Sequence, residues 1–116
     1  MAKSNNSHIL PASAASTNGL NLTASPADVH SISAMNTTAA VKFLKVYNSK
    51  LVPNPVTDIP VIIVPLAPSN ALTILRFPST FYCNLGISYT ITGLSAHSDA
   101  TATAAGDVVG VNILYS

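Results

Sequence analysis

The chain has 116 residues, the length of one domain, and 48% of them are hydrophobic, which excludes an intrinsically disordered chain. Only 8% are charged, compared with about 25% in an ordinary soluble domain. The formal net charge is +1 and the five Lys and Arg residues are scattered, so no basic stripe is present and we expect no nucleic-acid binding.

The low content of charged residues predicts that much of the surface faces other protein subunits instead of water. A homo-oligomer, or a protein bound to a larger partner, would have such a surface. The alternative is a monomer whose surface is solvated by its many Ser, Thr and Asn side chains. The composition favours association.

Residues 1–25 are rich in Ser, Ala and Asn and have no sustained hydrophobic periodicity, which predicts an extended N-terminal arm. Such an arm could lie on a neighbouring subunit or fold back over its own sheet, and the sequence does not choose between the two. If the arm binds a partner, its anchors are its large aliphatic side chains. These candidate partner-binding residues are Ile9, Leu10, Leu20 and Leu22.

The predicted β domain covers residues 26–116, and its first strand is predicted over residues 27–34. Regular alternation along this strand places Val29 on one face and His30, Ile32 and Ala34 on the opposite face.

Residues 40–48 form the next predicted strand. Their apolar spacing also fits an amphipathic helix, but the enrichment in β-branched and aromatic residues favours a strand. Lys42 and Lys45 lie on opposite faces of it. This indicates an edge strand, or lysine stems that lie along apolar surface while the ammonium groups reach water.

Prolines divide the middle of the chain into loops and short strands. Residues 49–60 contain three prolines and are predicted to form a loop. Residues 61–66 are apolar on both faces, as expected of a buried central strand. Residues 71–77 form another predicted strand that Pro78 closes, and residues 81–85 form a short extended piece.

Two segments near the end of the chain alternate strictly between apolar and polar residues, with a polar loop between them. They are residues 86–92 and 108–115, and we predict that they form a hairpin. The predicted core-facing side chains are Ile87, Tyr89 and Ile91 in the first strand and Val109, Val111, Ile113 and Tyr115 in the second. In all, six or seven short strands without a convincing helix predict an all-β fold, a single β-sandwich or jelly-roll-like domain.

The sequence contains no recognisable catalytic, cofactor or metal motif, so we expect a protein that is not an enzyme. The three histidines lie in separate segments, and a catalytic triad assembled in space is not visible in sequence. His97, Asp99 and Asp107 share one loop, which is a weak metal signal, and we assign no metal site. The single Cys83 is in an apolar context that predicts a buried, unreactive thiol.

The N-terminal segment has one Lys and no long apolar run, which does not predict a secretory signal, and no segment approaches 18 consecutive apolar residues. We therefore expect assembly in the cytoplasm and no membrane partner.

Several motifs, read in order, resemble a family of small structural proteins of tailed bacteriophages. They are Lys45-Val46-Tyr47-Asn48, then Asp58-Ile59-Pro60, Phe77-Pro78 and residues 86–92, and finally Asp99, Gly106-Asp107-Val108 and Tyr115. The resemblance covers residues 27–116, and the arm has no counterpart in it.

The resemblance implies a β-sandwich component of the virion without catalytic residues or cofactors. Within this class, a capsid decoration or cement protein is the favoured function. Such proteins are often trimeric and clamp neighbouring capsid subunits with extended termini. The expected partners are therefore the major capsid protein, or another virion protein, and further copies of the same chain. A tail, baseplate or fibre adaptor, or a host-binding module, is the alternative.

Overall fold

The computed structural model describes residues 6–116, which fold into eight antiparallel strands in two four-stranded sheets. Sheet I has the order β1-β8-β3-β6, and sheet II has the order β2-β7-β4-β5. The strands are β1 (Asn6–Ala12), β2 (Leu20–Thr23), β3 (Ala27–Asn36), β4 (Lys42–Asn48), β5 (Ile62–Leu66), β6 (Ala71–Cys83), β7 (Ile87–Thr92) and β8 (Val108–Tyr115). The prediction of an all-β fold is confirmed. No helix able to span a membrane occurs within residues 6–116.

Both sheets contribute to one hydrophobic core, because alternate residues of each strand point towards the other sheet. Aliphatic side chains dominate this core, with Tyr89 as its largest member. The fully buried aliphatic residues include Val29, Ile32, Leu44, Val46, Leu66, Ile87, Ile91, Val108, Val111 and Ile113. Cys83 is also buried, as predicted, and burial together with the charge of Asp28 raises the pKa of its thiol.

Residues 6–23 do not form an arm outside the β domain, and the predicted boundary at residue 26 needs correction for them. β1 pairs with β8 in sheet I, and β2 pairs with β7 in sheet II. The alternative in which this segment folds back on its own sheets is therefore the one observed for residues 6–23. Residues 1–5 of the predicted arm lie outside the described part of the chain.

Two irregularities change which residues face the core. A register shift at His30 places Val29 on the same side as Ile32, although strict alternation predicts opposite faces. In β8, Gly110 has a φ of 59° at a second shift, and Val108 is fully buried in place of the predicted Val109. A bulge inserts one extra residue and so moves the alternation by one position.

Three predictions about the middle strands were wrong in position. β4 lies between β7 and β5 and is not an edge strand. The predicted central strand, β5, is itself an edge, which explains how it accommodates Pro65. β6 does not end at Pro78 but continues to Cys83, because an edge strand tolerates a proline and the register shifts there.

The predicted hairpin of β7 and β8 is also wrong, since the two strands lie in different sheets. The long connection of residues 93–107 crosses from sheet II to sheet I. Gly86, immediately before β7, is required by close approach. A Cβ at this position would collide with the backbone carbonyls of Thr23 and Ser49.

Candidate interaction surfaces

The outer face of sheet II is covered by the chain's own loops. The hydroxyl-bearing residues of β7 point away from the core, yet Ser88, Thr90 and Thr92 are fully buried. The Ser88 hydroxyl donates to the carbonyl of Leu51 at 2.8 Å, and Thr90 shares a 3.2 Å hydrogen bond with the hydroxyl of Tyr47. The connections between β4 and β5 and between β7 and β8 therefore occupy this face.

Lys45 lies under the β7–β8 connection with none of its surface exposed. Its ammonium group donates to the backbone carbonyl of Ala96 at 2.6 Å and to that of Asp99 at 3.4 Å. Burial lowers the pKa of Lys45, and the nearby Asp99 charge partly opposes this effect. Both alternatives predicted for this strand are wrong at Lys45, because β4 is not an edge strand and the Lys45 ammonium does not reach water. The ammonium instead holds the β7–β8 connection against sheet II.

Asp99 and Asp107, the two acidic residues of the weak metal signal, have structural hydrogen bonds. The Asp99 carboxylate accepts from the Thr101 hydroxyl at 2.7 Å and from the Leu94 backbone N–H at 3.0 Å. Burial opposes ionisation of Asp99, but these bonds and the Lys45 charge together lower its pKa. Asp107 accepts from the Ala104 backbone N–H at 2.8 Å. Within residues 6–116, no three His, Cys, Asp or Glu side chains come together as metal ligands would.

The outer face of sheet I, in contrast, is open. One row across it consists of Ile9, Asn112, Ser33 and Ile74, in the order β1-β8-β3-β6. Ile9 is 59% exposed and Ile74 is 51% exposed. Leu114 on β8 is also exposed on this face. Exposed aliphatic side chains therefore lie at both edges of this face, with Asn112 and Ser33 between them.

A second exposed apolar surface is the segment of residues 51–61, which we call the apolar loop. Leu51 is 74% exposed and Ile59 is 72% exposed, and Val52, Val56 and Val61 also face solvent. Loops between strands are usually polar, so this number of exposed aliphatic side chains in one loop is unusual.

The apolar loop is held in one conformation by its own polar groups. The Asp58 carboxylate accepts a 2.7 Å hydrogen bond from the Asn54 backbone N–H, and the Asn54 side chain accepts from the Val56 N–H at 3.0 Å. Pro53 and Pro60 are buried and anchor its ends. Asp58, the one charged residue of the loop, is therefore hydrogen-bonded within the loop. The exposed aliphatic side chains of the loop are already ordered before a partner binds.

The four residues predicted as partner-binding anchors do not form one site. Ile9 and Leu20 are exposed, whereas Leu10 and Leu22 pack partly against the core. They also divide between the two sheets, because β1 belongs to sheet I and β2 to sheet II. Of the four, only Ile9 lies on the open outer face of sheet I, where Asn112 and Ser33 separate it from Ile74.

Sequence reasoning treated residues 49–60 only as a proline-rich loop and missed the apolar loop. A usable signal was present, because residues 51–61 contain Leu51, Val52, Val56, Ile59 and Val61 with Asp58 as their single charged residue. The combination of prolines, which limit conformational freedom, and aliphatic side chains indicates a rigid contact loop. No protein family, no curated protein and no solved structure matches this chain.

Proposed function

We propose that this chain is a non-enzymatic structural protein of a bacteriophage virion, and within that class a capsid decoration or cement protein that stabilises the head shell. The apolar loop is the observation that carries the proposal. An ordered loop with five exposed aliphatic side chains is costly to keep in water and is stabilised when a partner covers it.

We further assign the fold to the jelly-roll class, in which eight strands form two packed sheets as two Greek keys. The strand orders β1-β8-β3-β6 and β2-β7-β4-β5 support this assignment. Strands β1 to β4 belong in turn to sheets I, II, I and II, and strands β5 to β8 belong in turn to sheets II, I, II and I. Jelly rolls occur in viral capsid proteins, lectins and cupins. The topology thus agrees with a capsid protein, and it agrees equally with a lectin or a cupin.

The energetics of binding also favour a preformed contact loop. A standard protein interface buries about 800 Å² on each partner, and apolar burial contributes roughly 25 cal/mol per Å². Much of this gain is normally offset by the ordering of loops and side chains on binding. The hydrogen bonds of Asn54 and Asp58 order the apolar loop beforehand and so reduce that cost. The proposed partners are the major capsid protein and further copies of this chain, in the virion assembled in the host cytoplasm.

The copy number in purified virus particles tests the proposal directly. Quantitative mass spectrometry of particles, referenced to the major capsid protein, should find hundreds of copies of this chain per particle. A few to a few dozen copies would instead place it in the tail. Its absence from particles would overturn the virion assignment.

The double variant Leu51→Ser with Ile59→Ser tests the role of the apolar loop. Because both side chains are exposed, the variant should fold with an unchanged melting temperature but be lost from the particles on washing. Leu94→Ser is the matched control, since Leu94 is 60% exposed on a different loop. Retention of the double variant at the wild-type level would contradict a contact through the apolar loop.

One observation favours the alternative of a tail, baseplate or host-binding module. A cavity of about 290 Å³ is lined by Asn6, His30, Leu114 and Tyr115. Its volume is near the lower limit for small-molecule sites, and its amide and imidazole groups could hydrogen-bond a sugar. Binding of a host glycan together with a low copy number would favour this alternative.

A further inference from the structure

The edges of the two sheets differ in how well they are protected against pairing with another strand. Among the described strands, all four edges carry a standard protective feature: β1 contains Pro11, β5 contains Pro65, β6 contains Pro78, and β2 is only four residues long. The longest stretch of edge without a proline is in β6, over residues 71–77, compared with residues 6–10 in β1 and 62–64 in β5. This segment also contains a single charge, that of Arg76.

The boundaries of this free edge are sharp. Ser69 and Asn70 have φ values of 65° and 61°, which form the turn that starts β6. Pro78 and the register shift opposite His30 end the regular ladder at the other side. Between them, β6 pairs with β3 on one side only, and alternate residues direct N–H and C=O groups away from β3. The edge therefore presents unpaired backbone groups along residues 71–77.

We propose that residues 71–77 of β6 pair antiparallel with the same segment of a second copy of this chain, across a two-fold axis at Ile74. The pairing would join the two copies of sheet I into one continuous sheet. This inference rests on the self-association included in the proposed function and specifies its contact.

The sequence of the segment is self-complementary in this register. With the axis at Ile74, the whole segment is paired. Ala71 lies opposite Phe77 of the second copy, and Ile74 lies opposite Ile74 of the second copy. Leu72 then lies opposite Arg76 of the second copy, so the two arginines are kept apart. An axis at Arg76 would bring like charges together, which destabilises cross-strand pairs. Ile74 and Leu72, both more than half exposed, would gain apolar neighbours on the outer face of sheet I.

The protection of the other sheet edges explains why the association would stop at two copies. A two-fold contact uses the same surface on both partners and leaves no second copy of it exposed. Once β6 is paired, the edges that remain are the protected strands β1, β2 and β5. A closed dimer results, and not a growing sheet. The trimer favoured by the resemblance would need a different, heterologous contact.

Light scattering on the purified full-length chain tests the inference with a matched pair of variants. The wild type should have the mass of a dimer, and Ile74→Lys should reduce it to a monomer because an edge lysine opposes strand pairing. Ile9→Lys is the control, since Ile9 has similar exposure on the same face but lies on β1. It should remain a dimer. A trimeric or monomeric wild type, or equal dissociation by both variants, would overturn the proposal.

Disulfide cross-linking tests the register without relying on a destabilising charge. Ile74→Cys places two thiols directly opposite each other, at a Cβ separation of about 5 Å that small adjustments bring to disulfide geometry. Cys83 is buried and should not react. Oxidation should give a covalent dimer with Ile74→Cys and none with Ile9→Cys. The reverse pattern would refute the β6 contact, whereas the particle copy number would still decide the virion function separately.

Discussion

The outer faces of the two sheets differ in whether loops of the chain cover them. On sheet II, the chain covers its own sheet with loops and fixes them through buried polar groups, of which Lys45 is the most costly to bury. On sheet I, Ser33 and Asn112 lie between exposed aliphatic side chains, and no loop within residues 6–116 covers them. The difference indicates that residues on sheet II maintain the fold, while residues on sheet I and the apolar loop are free to contact partners.

The largest effect that tests this contrast is expected at Lys45. Lys45→Ala leaves the carbonyl of Ala96 without its ammonium donor and removes the packed stem, and we expect a loss of about 3 kcal/mol in the free energy of unfolding. Arg76→Ala, which removes the exposed cation of sheet I, should change it by less than about 0.5 kcal/mol. Urea denaturation measures both. Equal losses in the free energy of unfolding would contradict the view that the outer face of sheet II maintains the fold and that of sheet I does not.

A smaller effect is expected from a buried hydroxyl on sheet II. Thr90→Val keeps the side-chain shape but leaves the Tyr47 hydroxyl buried without its partner, at a cost of about 1–2 kcal/mol. The double variant with Tyr47→Phe removes both partners and should recover much of the loss. Ser33→Ala, on the outer face of sheet I, should be nearly neutral. If Thr90→Val is also neutral in denaturation, its hydroxyl does not contribute to the cover of sheet II.

The smallest effect concerns His8, the side chain that links the two sheets through a 2.9 Å hydrogen bond to the Tyr89 hydroxyl. Burial lowers the pKa of His8 below 6.5 in the folded state, so the folded state disfavours protonation. The contribution of neutral His8 to stability is therefore present above pH 6.5 and is lost as the pH falls below that value. Melting temperatures of wild type and His8→Gln, measured between about pH 7.5 and pH 5.5, should converge at the acidic end. A constant difference across this range would show that His8 does not titrate with folding.

The alternation of apolar residues was sufficient to locate β4, β7 and β8, because each has a buried aliphatic face. It failed where a bulge intervened, as at His30 and Gly110, since a bulge depends on pairing with a neighbouring strand. β1 and β2 were missed for a related reason. Their sequences have weak periodicity, and they are strands because β8 and β7 provide partners for them.

The candidate surfaces were predictable to different degrees. The apolar loop could have been identified from its aliphatic residues alone. The burial of Lys45 could not, because its acceptors at Ala96 and Asp99 are distant in sequence and meet it only through the crossing of the β7–β8 connection. The free edge of β6 likewise depends on the strand order, which alternation does not determine.

The pairing of β1 with β8 has a consequence for synthesis of the chain. The first described strand cannot find its neighbour until the last one has been translated, and β2 must similarly wait for β7. Contacts between such distant segments slow folding, and the unpaired strands stay exposed in the meantime. Folding of this protein is therefore expected to follow translation of β8, and a nascent chain stalled before residue 108 should remain sensitive to protease along its whole length.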